Sequence, residues 1–383
     1  MRISNIKINN QDERIRLSAR VIWEDCHQPE RDIYVETEKS FGNDLSMNPD
    51  AFLVGCLIPA MHLGEKRIVM EEAICPYLKE GLETVMAIMR LWSAGRLKPL
   101  NIEASVRSLV NGGHQKPHAA MVLSGGIDSL ATLRLNRRHY PESHPGAIKD
   151  GFIIHGFDIG GVVKRGMKYP VFDRARQALT AVAKDAGISL IPVYTNIRHL
   201  CDDRSLWLDY FFGAVLAAVG HAFSNRINLL YLASSFDLPN LVPCGSHPLL
   251  DPEFSSYHLR IRHSHAGLSR MDKLRIVSEW EAAFQHFRVC LANVPDRLNC
   301  GKCEKCVRTM LGLVGLGILA KTGAFIEDDV TADMLDPFEI TIRHRPPFYR
   351  ELLEPLKKQG RDDLVAAIER KLCRKSDSLQ NER

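Results

Sequence analysis

The sequence predicts an α/β fold: a parallel doubly wound sheet, with an N-terminal α+β domain before it and a C-terminal helical section after it. Three observations carry this expectation. Continuous apolar strands alternate with helical stretches from Ala119 onward, a Ser-Gly-Gly turn follows the first of those strands, and four cysteines crowd into residues 290–306. Strands that are apolar throughout, with helices between them, are what a parallel sheet covered on both faces requires. In such sheets ligands sit at the carboxyl ends of the strands, near a topological switch point.

Taken in order, residues 1–115 read as the α+β domain. "RIRLSARVIW" and "RDIYVETEK" alternate like half-buried strands, and "PDAFLVGCLIPAMHLG" and "PYLKEGLETVMAIMRLWSAG" read as helices. "LKPLNIEASVR" is one more strand, and the polar "LVNGGHQKPH" is the boundary, because it breaks both periods. Residues 116–285 form the second domain. "AAMVLS", "GFIIHGFD", "SLIPVYTN" and "INLLYLASS" are four strands, and the intervening helices include one that ends at Gly187. The residues just after each strand are therefore the informative ones: Ser124 to Ser129, Gly156 to Asp158, Thr195 to Arg198, and Ser234 to Asp237. Residues 286–383 hold the cysteines and a tail expected to form a short helix, then a longer one, then a frayed polar end.

Bulk properties narrow the function classes. The net charge of +4 over 383 residues supports a local basic patch but does not argue nucleic-acid binding. The apolar run 206–223 carries Asp209 and His221, which favours a buried helix over a membrane span. Ten cysteines without an apolar leader point to a reducing, cytoplasmic setting, in which a cysteine cluster binds metal or does chemistry.

In Ser124-Gly125-Gly126-Ile127-Asp128-Ser129, two residues without Cβ let N–H groups face a ligand at the start of a helix, and the hydroxyls add donors. This is a phosphate cradle, and it lacks the Walker spacing. Asp128 beside a phosphate calls for a divalent cation, Mg²⁺, between the two anions. A plain turn with Asp128 and Ser129 as helix caps is the competing reading. The six-residue run resembles the PP-loop of the N-type ATP pyrophosphatases, whose fold is of the adenine-nucleotide α-hydrolase type. That resemblance implies that ATP lies on Ser124–Ser129, that Gly156 and Asp158 lie near the nucleotide, and that a substrate oxygen attacks the α-phosphate to give an adenylate and pyrophosphate.

Cys290, Cys300, Cys303 and Cys306 have the spacing C-x9-C-x2-C-x2-C, which suits four thiolates around Zn²⁺; an iron–sulfur cluster is the rival occupant. A PP-loop followed by four cysteines of nearly this spacing resembles the 7-cyano-7-deazaguanine synthase family, over roughly residues 119–320. In that family the zinc is structural. The chain departs from the family in residues 1–115 and in the segment "PCGSHPLLDPEFSS", which stands where the deazapurine pocket is expected.

In that segment His247 is a candidate acid or base, and Asp251 or Glu253 a candidate for binding metal or a substrate amine. Arg198 suits a phosphate or carboxylate, and Asn196 and His199 lie beside it. In "RIRHSHAGLSRMDK", Arg260, Arg262, Arg270 and Lys273 could face phosphates, His263 and His265 could share a metal, and Ser269 reads as a helix N-cap. Cys244 and Cys201 raise a sulfur relay. The expected function is ATP-dependent adenylation of a small-molecule carboxylate or amide, completed by ammonia or an amine. The alternatives are sulfur transfer and a nucleotide-binding regulator without turnover. The N-terminal domain would supply a substrate wall or a homodimer surface.

Overall fold

The computed structural model describes residues 1–108, 118–160, 168–342 and 345–373. In chain order the strands are β1 (Arg2–Gln11), β2 (Arg14–Ile22), β3 (Arg31–Glu38), β4 (Arg67–Met70) and β5 (Asn101–Glu103). They continue with β6 (His118–Val122), β7 (Ile148–His155), β8 (Ser189–Thr195), β9 (Ile227–Ala233) and β10 (Arg260–Ser264). The helices are α1 (Asp50–Leu63), α2 (Pro76–Trp92), α3 (Ile127–His139), α4 (Tyr169–Ala186), α5 (Arg204–Leu206) and α6 (Phe212–Ala222). After β10 come α7 (Arg270–Ser278), α8 (Glu281–His286), α9 (Glu304–Gly315), α10 (Arg345–Lys358) and α11 (Asp362–Cys373).

All ten strands join in one sheet, ordered β10-β9-β6-β7-β8-β3-β2-β1-β4-β5. From β10 to β8 every pairing is parallel. The chain steps from β6 outward through β7 to β8, then returns to the other side of β6 for β9 and β10, so the switch point lies between the carboxyl ends of β6 and β9. Here β6 ends in the glycine turn. The α/β class and the four expected parallel strands are present.

The first hundred residues extend this same sheet. β3 pairs antiparallel with β8 at Val35–Thr37, β2 and β1 follow antiparallel, and β4 and β5 add in parallel beyond β1. One face is covered by α1, α2 and α6, the other by α3, α4 and the helices from α7 to α11. α1 is buried from Asp50 to Met61, all round its circumference, as an apolar helix without a polar face must be. The helical stretch Arg204–Ala222 is long and apolar enough to cross a membrane, and 72% of that window is buried inside the fold.

Several elements differ from the sequence expectation. β1 escapes the alternation test because only Ile3 and Ile6 of its ten residues are buried. β10 alternates Ile261 with arginines at the sheet edge, which reads as a basic patch. "LKPLNIEASVR" contributes three strand residues only. In the tail the longer helix comes first: α10 runs 14 residues, through Pro355, and α11 has 12. The boundary at 109–117 and the end from 374 lie outside the described residues.

A buried ion pair ties the two parts of the sheet. Arg226, just before β9, forks onto the fully buried Asp150 of β7 at 2.9 and 2.8 Å and reaches Asp44, beyond β3, at 2.9 Å. Asp150→Ala should lower unfolding free energy by roughly 2–3 kcal/mol in urea, because the partly buried Arg226 loses two charge-assisted hydrogen bonds and keeps only Asp44. Asp44→Ala, at the more exposed end, should cost only about 1 kcal/mol or less.

Candidate anion site and metal centre

The glycine turn is built from the residues between β6 and α3. Leu123 still bonds across the sheet, its N–H donating to the Phe152 carbonyl at 2.8 Å. Gly125 then takes φ +76°, a left-handed conformation that costs a side-chain-bearing residue about 1–2 kcal/mol. Gly126 is the N-cap of α3, and the hydroxyls close the turn: Ser129 donates to the Gly126 carbonyl at 2.9 Å, and Gly126 N–H donates to Ser124 Oγ at 3.3 Å. Ser129 therefore acts partly as a brace. The first N–H groups of α3 have no partner within the helix and carry its positive end. The neighbouring turn, after β7, has Gly156 at φ +106°, where a Cβ would stand 2.0 Å from the Thr195 carbonyl oxygen.

Cations converge on this turn. Arg270, on the first turn of α7, donates to Asp128 Oδ2 at 2.5 Å, and Lys273 lies 3.5 Å from Oδ1. Lys273 also donates to the Ser234 carbonyl at 2.6 Å, so it spans the ends of β6 and β9, at the switch point. Burial would raise the Asp128 pKa; Arg270 and Lys273, with Lys305 behind them, overcome it and hold the carboxyl below its ordinary value. Burial in turn pulls the Lys273 and Lys305 ammoniums down, against the pull of Asp128 and Asp158. At Asp128, where the sequence suggests Mg²⁺, two side-chain cations are in place.

The four cysteines come together as the spacing predicts. Their Sγ atoms all lie within 4.8 Å of one another, with Cys303–Cys306 at 3.5 Å, Cys300–Cys306 at 3.9 Å and Cys290–Cys303 at 4.0 Å. A Zn–S bond of about 2.3 Å sets the sulfurs of a tetrahedron about 3.8 Å apart. All four cysteines are free, so the cluster could hold a metal ion such as zinc. It is the one such group among the described residues. Hydrogen bonds from the Cys303 and Cys306 thiols push the Cys290 thiol down, so a thiolate is the form these neighbours favour.

The remaining candidates divide. Arg198 is buried, stacks over Trp207 at 4.3 Å, and sits 3.4 Å from both Asp158 and Asp202. Its guanidinium is already compensated, and Trp207 also meets Phe157, at 5.0 Å between ring centroids. Asp251 is fully buried, and it accepts from Ser246 Oγ at 2.7 Å, His263 Nδ1 at 2.7 Å and His247 N–H at 3.2 Å. His247 packs edge-on against Trp92, and burial lowers its pKa. These contacts lock the loop to β10. His263 and His265 do not form a pair: one meets Asp251, the other shares a hydrogen bond with Thr132 at 3.2 Å. Ser269 caps α7 as expected, in a capping box with Asp272. Cys244 is buried and its thiol is pushed up to about 11, chiefly by burial. Arg288 carries no signal in the sequence beyond its place two residues before Cys290.

No family model, curated protein or solved structure matches this chain.

His155, the last residue of β7, is 1% exposed and packs on Tyr169 at 4.5 Å, Phe172 at 5.2 Å and Tyr194 at 5.7 Å. Burial, helped by Arg14, drives its imidazole down to about 4. The unfolded chain takes that proton near pH 6.5, so the folded state binds fewer protons between the two values. Stability is complete above about pH 6.5 and falls as pH drops toward 4. Urea midpoints across that window should fall more steeply for the wild type than for His155→Phe.

Proposed function

We propose that this chain is an ATP-using enzyme of PP-loop type, which adenylates a small-molecule carboxylate or amide and releases pyrophosphate. The observation that carries the reading is the Ser-Gly-Gly turn at the switch point of a parallel sheet, with Arg270, Lys273 and Lys305 gathered around Asp128. The turn supplies backbone donors, and the three cations supply charge for a departing polyanion. Gly125 and Gly126 let the pyrophosphate approach the backbone, Ile127 and Asp128 begin the helix whose N-terminus faces it, and Ser124 and Ser129 add hydroxyls. Asp128 and Asp158 are the carboxylates that could hold a Mg²⁺ ion carried by the nucleotide, which would supply further positive charge to the phosphates. Attack by the acceptor oxygen on the α-phosphate breaks the bond to the β-phosphate, and the electron pair leaves on pyrophosphate. Ammonia or an amine then displaces AMP.

The four cysteines fit zinc in number, chemistry and sulfur spacing, and four protein ligands leave no open position, the arrangement of a structural site. A zinc ion there would join α9 to the loop before it. Sulfur relay through Cys244 is the weaker reading, since a buried thiol raised to about 11 carries little thiolate.

Turnover of [α-³²P]ATP on thin-layer plates, with Mg²⁺ and a panel of small carboxylates and amides, tests the proposal. AMP should form only with one acceptor class, and Arg270→Ala should lose about 10–100-fold in turnover efficiency, the worth of one charge-assisted contact. ADP as product would overturn the PP-loop reading, and tight ATP binding without turnover would favour a regulator. Elemental analysis should find one zinc per chain, lost in Cys303→Ser; iron with acid-labile sulfide would replace zinc by a cluster.

A further inference from the structure

The four-cysteine segment reaches both strand-end turns. Arg288, two residues before Cys290, donates its backbone N–H to the Gly125 carbonyl at 2.8 Å, on the residue that takes the left-handed turn. Its guanidinium, 8% exposed, meets Asn293 Oδ1 at 2.5 Å, and Asn293 Nδ2 donates to the Asp158 carbonyl at 2.8 Å. One short loop therefore grips the turn after β6 and the turn after β7. Asn299 fixes the base of that loop: its Oδ1 accepts from Val289 N–H at 2.8 Å, and its Nδ2 donates to the Phe287 and Ala324 carbonyls at 2.9 and 3.0 Å. On the far side of the cluster, Lys305 stands between Cys303 and Cys306 in the first turn of α9, in the field of Asp128 and Asp158. The same four sulfurs thus set the position of the tether and of one cation.

We propose that the four-cysteine centre and the glycine turn form one coupled unit, in which metal loading holds the turn in its anion-binding shape and a bound phosphoanion strengthens metal retention. Arg288 and Asn293 are the positioning residues, and Lys305 is the cation delivered to the anion. The inference rests on reading the turn as a phosphate cradle. The four Sγ atoms lie within 4.8 Å of one another, close enough for one metal ion to hold all four and with them the loop that carries Arg288. If metal favours the shape that binds the anion, linkage requires the anion to favour metal to the same degree.

The test uses the full zinc-loaded chain with inorganic pyrophosphate as the probe. Calorimetry gives its affinity, and transfer of zinc to excess chelator is timed with and without it. Asn293→Gly removes the tether and suits the left-handed φ of 52° at that position. The expected result has three parts. Pyrophosphate slows zinc release from the wild type several-fold; Asn293→Gly still folds and keeps one zinc per chain, with a melting temperature lowered by the two lost buried hydrogen bonds, but binds pyrophosphate at least tenfold more weakly; and zinc release from that variant is no longer slowed. Lys305→Met should show the same loss of affinity, restored by Lys305→Arg. Unchanged zinc release in the wild type at saturating pyrophosphate overturns the coupling, as does wild-type pyrophosphate affinity in Asn293→Gly. If Asn293→Gly fails to fold, the wild-type release experiment alone decides. Failure of the wild type to bind pyrophosphate at all removes the phosphate reading itself, a result distinct from binding without coupling.

Discussion

Placing the Asp128 carboxylate at the first turn of α3, largely out of water, is the constraint that organises the centre of this molecule. A carboxylate there costs several kcal/mol unless opposite charge meets it. Arg270 at 2.5 Å and Lys273 at 3.5 Å meet it, and both come from α7, more than a hundred residues later in the chain. The carboxylate therefore dictates where α7 docks, and Lys273 in turn links that docking to the end of β9 through the Ser234 carbonyl. Charge compensation and strand-end geometry are satisfied by the same two side chains. A phosphoanion entering the turn would find cations already held in place, with little side-chain entropy left to lose.

The cysteine cluster solves a related problem by a different means. The segment between α8 and α9 has little regular structure, so its position depends on side-chain ties. Asn299 anchors it to Phe287 and Ala324, the sulfurs gather it into a knuckle, and Arg288 and Asn293 hand its position on to the two turns. Burial of the Arg288 guanidinium is costly and pulls its pKa below the ordinary value, and the nearby cysteines and Asp158 oppose that pull only in part.

The polar groups of residues 244–263 serve the opposite face. Asp251 satisfies Ser246, His247 and His263 together, and His221 binds the Phe254 carbonyl through Nε2 at 2.8 Å. Such contacts are what a loop packed under α2 and α6 needs, since any buried polar group left alone is penalised. Histidine, aspartate and serine in one short stretch look catalytic in a sequence, yet here the carboxylate's lone pairs are taken up by the fold.

The amino-acid sequence by itself determined the parts that depend on neighbours along the chain. The glycine turn, the Ser269 cap, the four parallel strands from β6 to β9 and the cysteine knuckle are local patterns, and local sterics, capping and ligand spacing suffice to specify them. The tertiary structure alone decided the rest. β1, with two buried residues in ten, is a strand because β2 and β4 flank it, and residues 1–108 join the parallel sheet through three residue pairs between β3 and β8 together with a core shared by α1 and α6. The partners of Asp128, the grip of Arg288 on Gly125 and the pairing of Asp251 with His263 likewise join residues separated in sequence. Their energies come from burial and charge, which act through space, and no pattern along the chain records them.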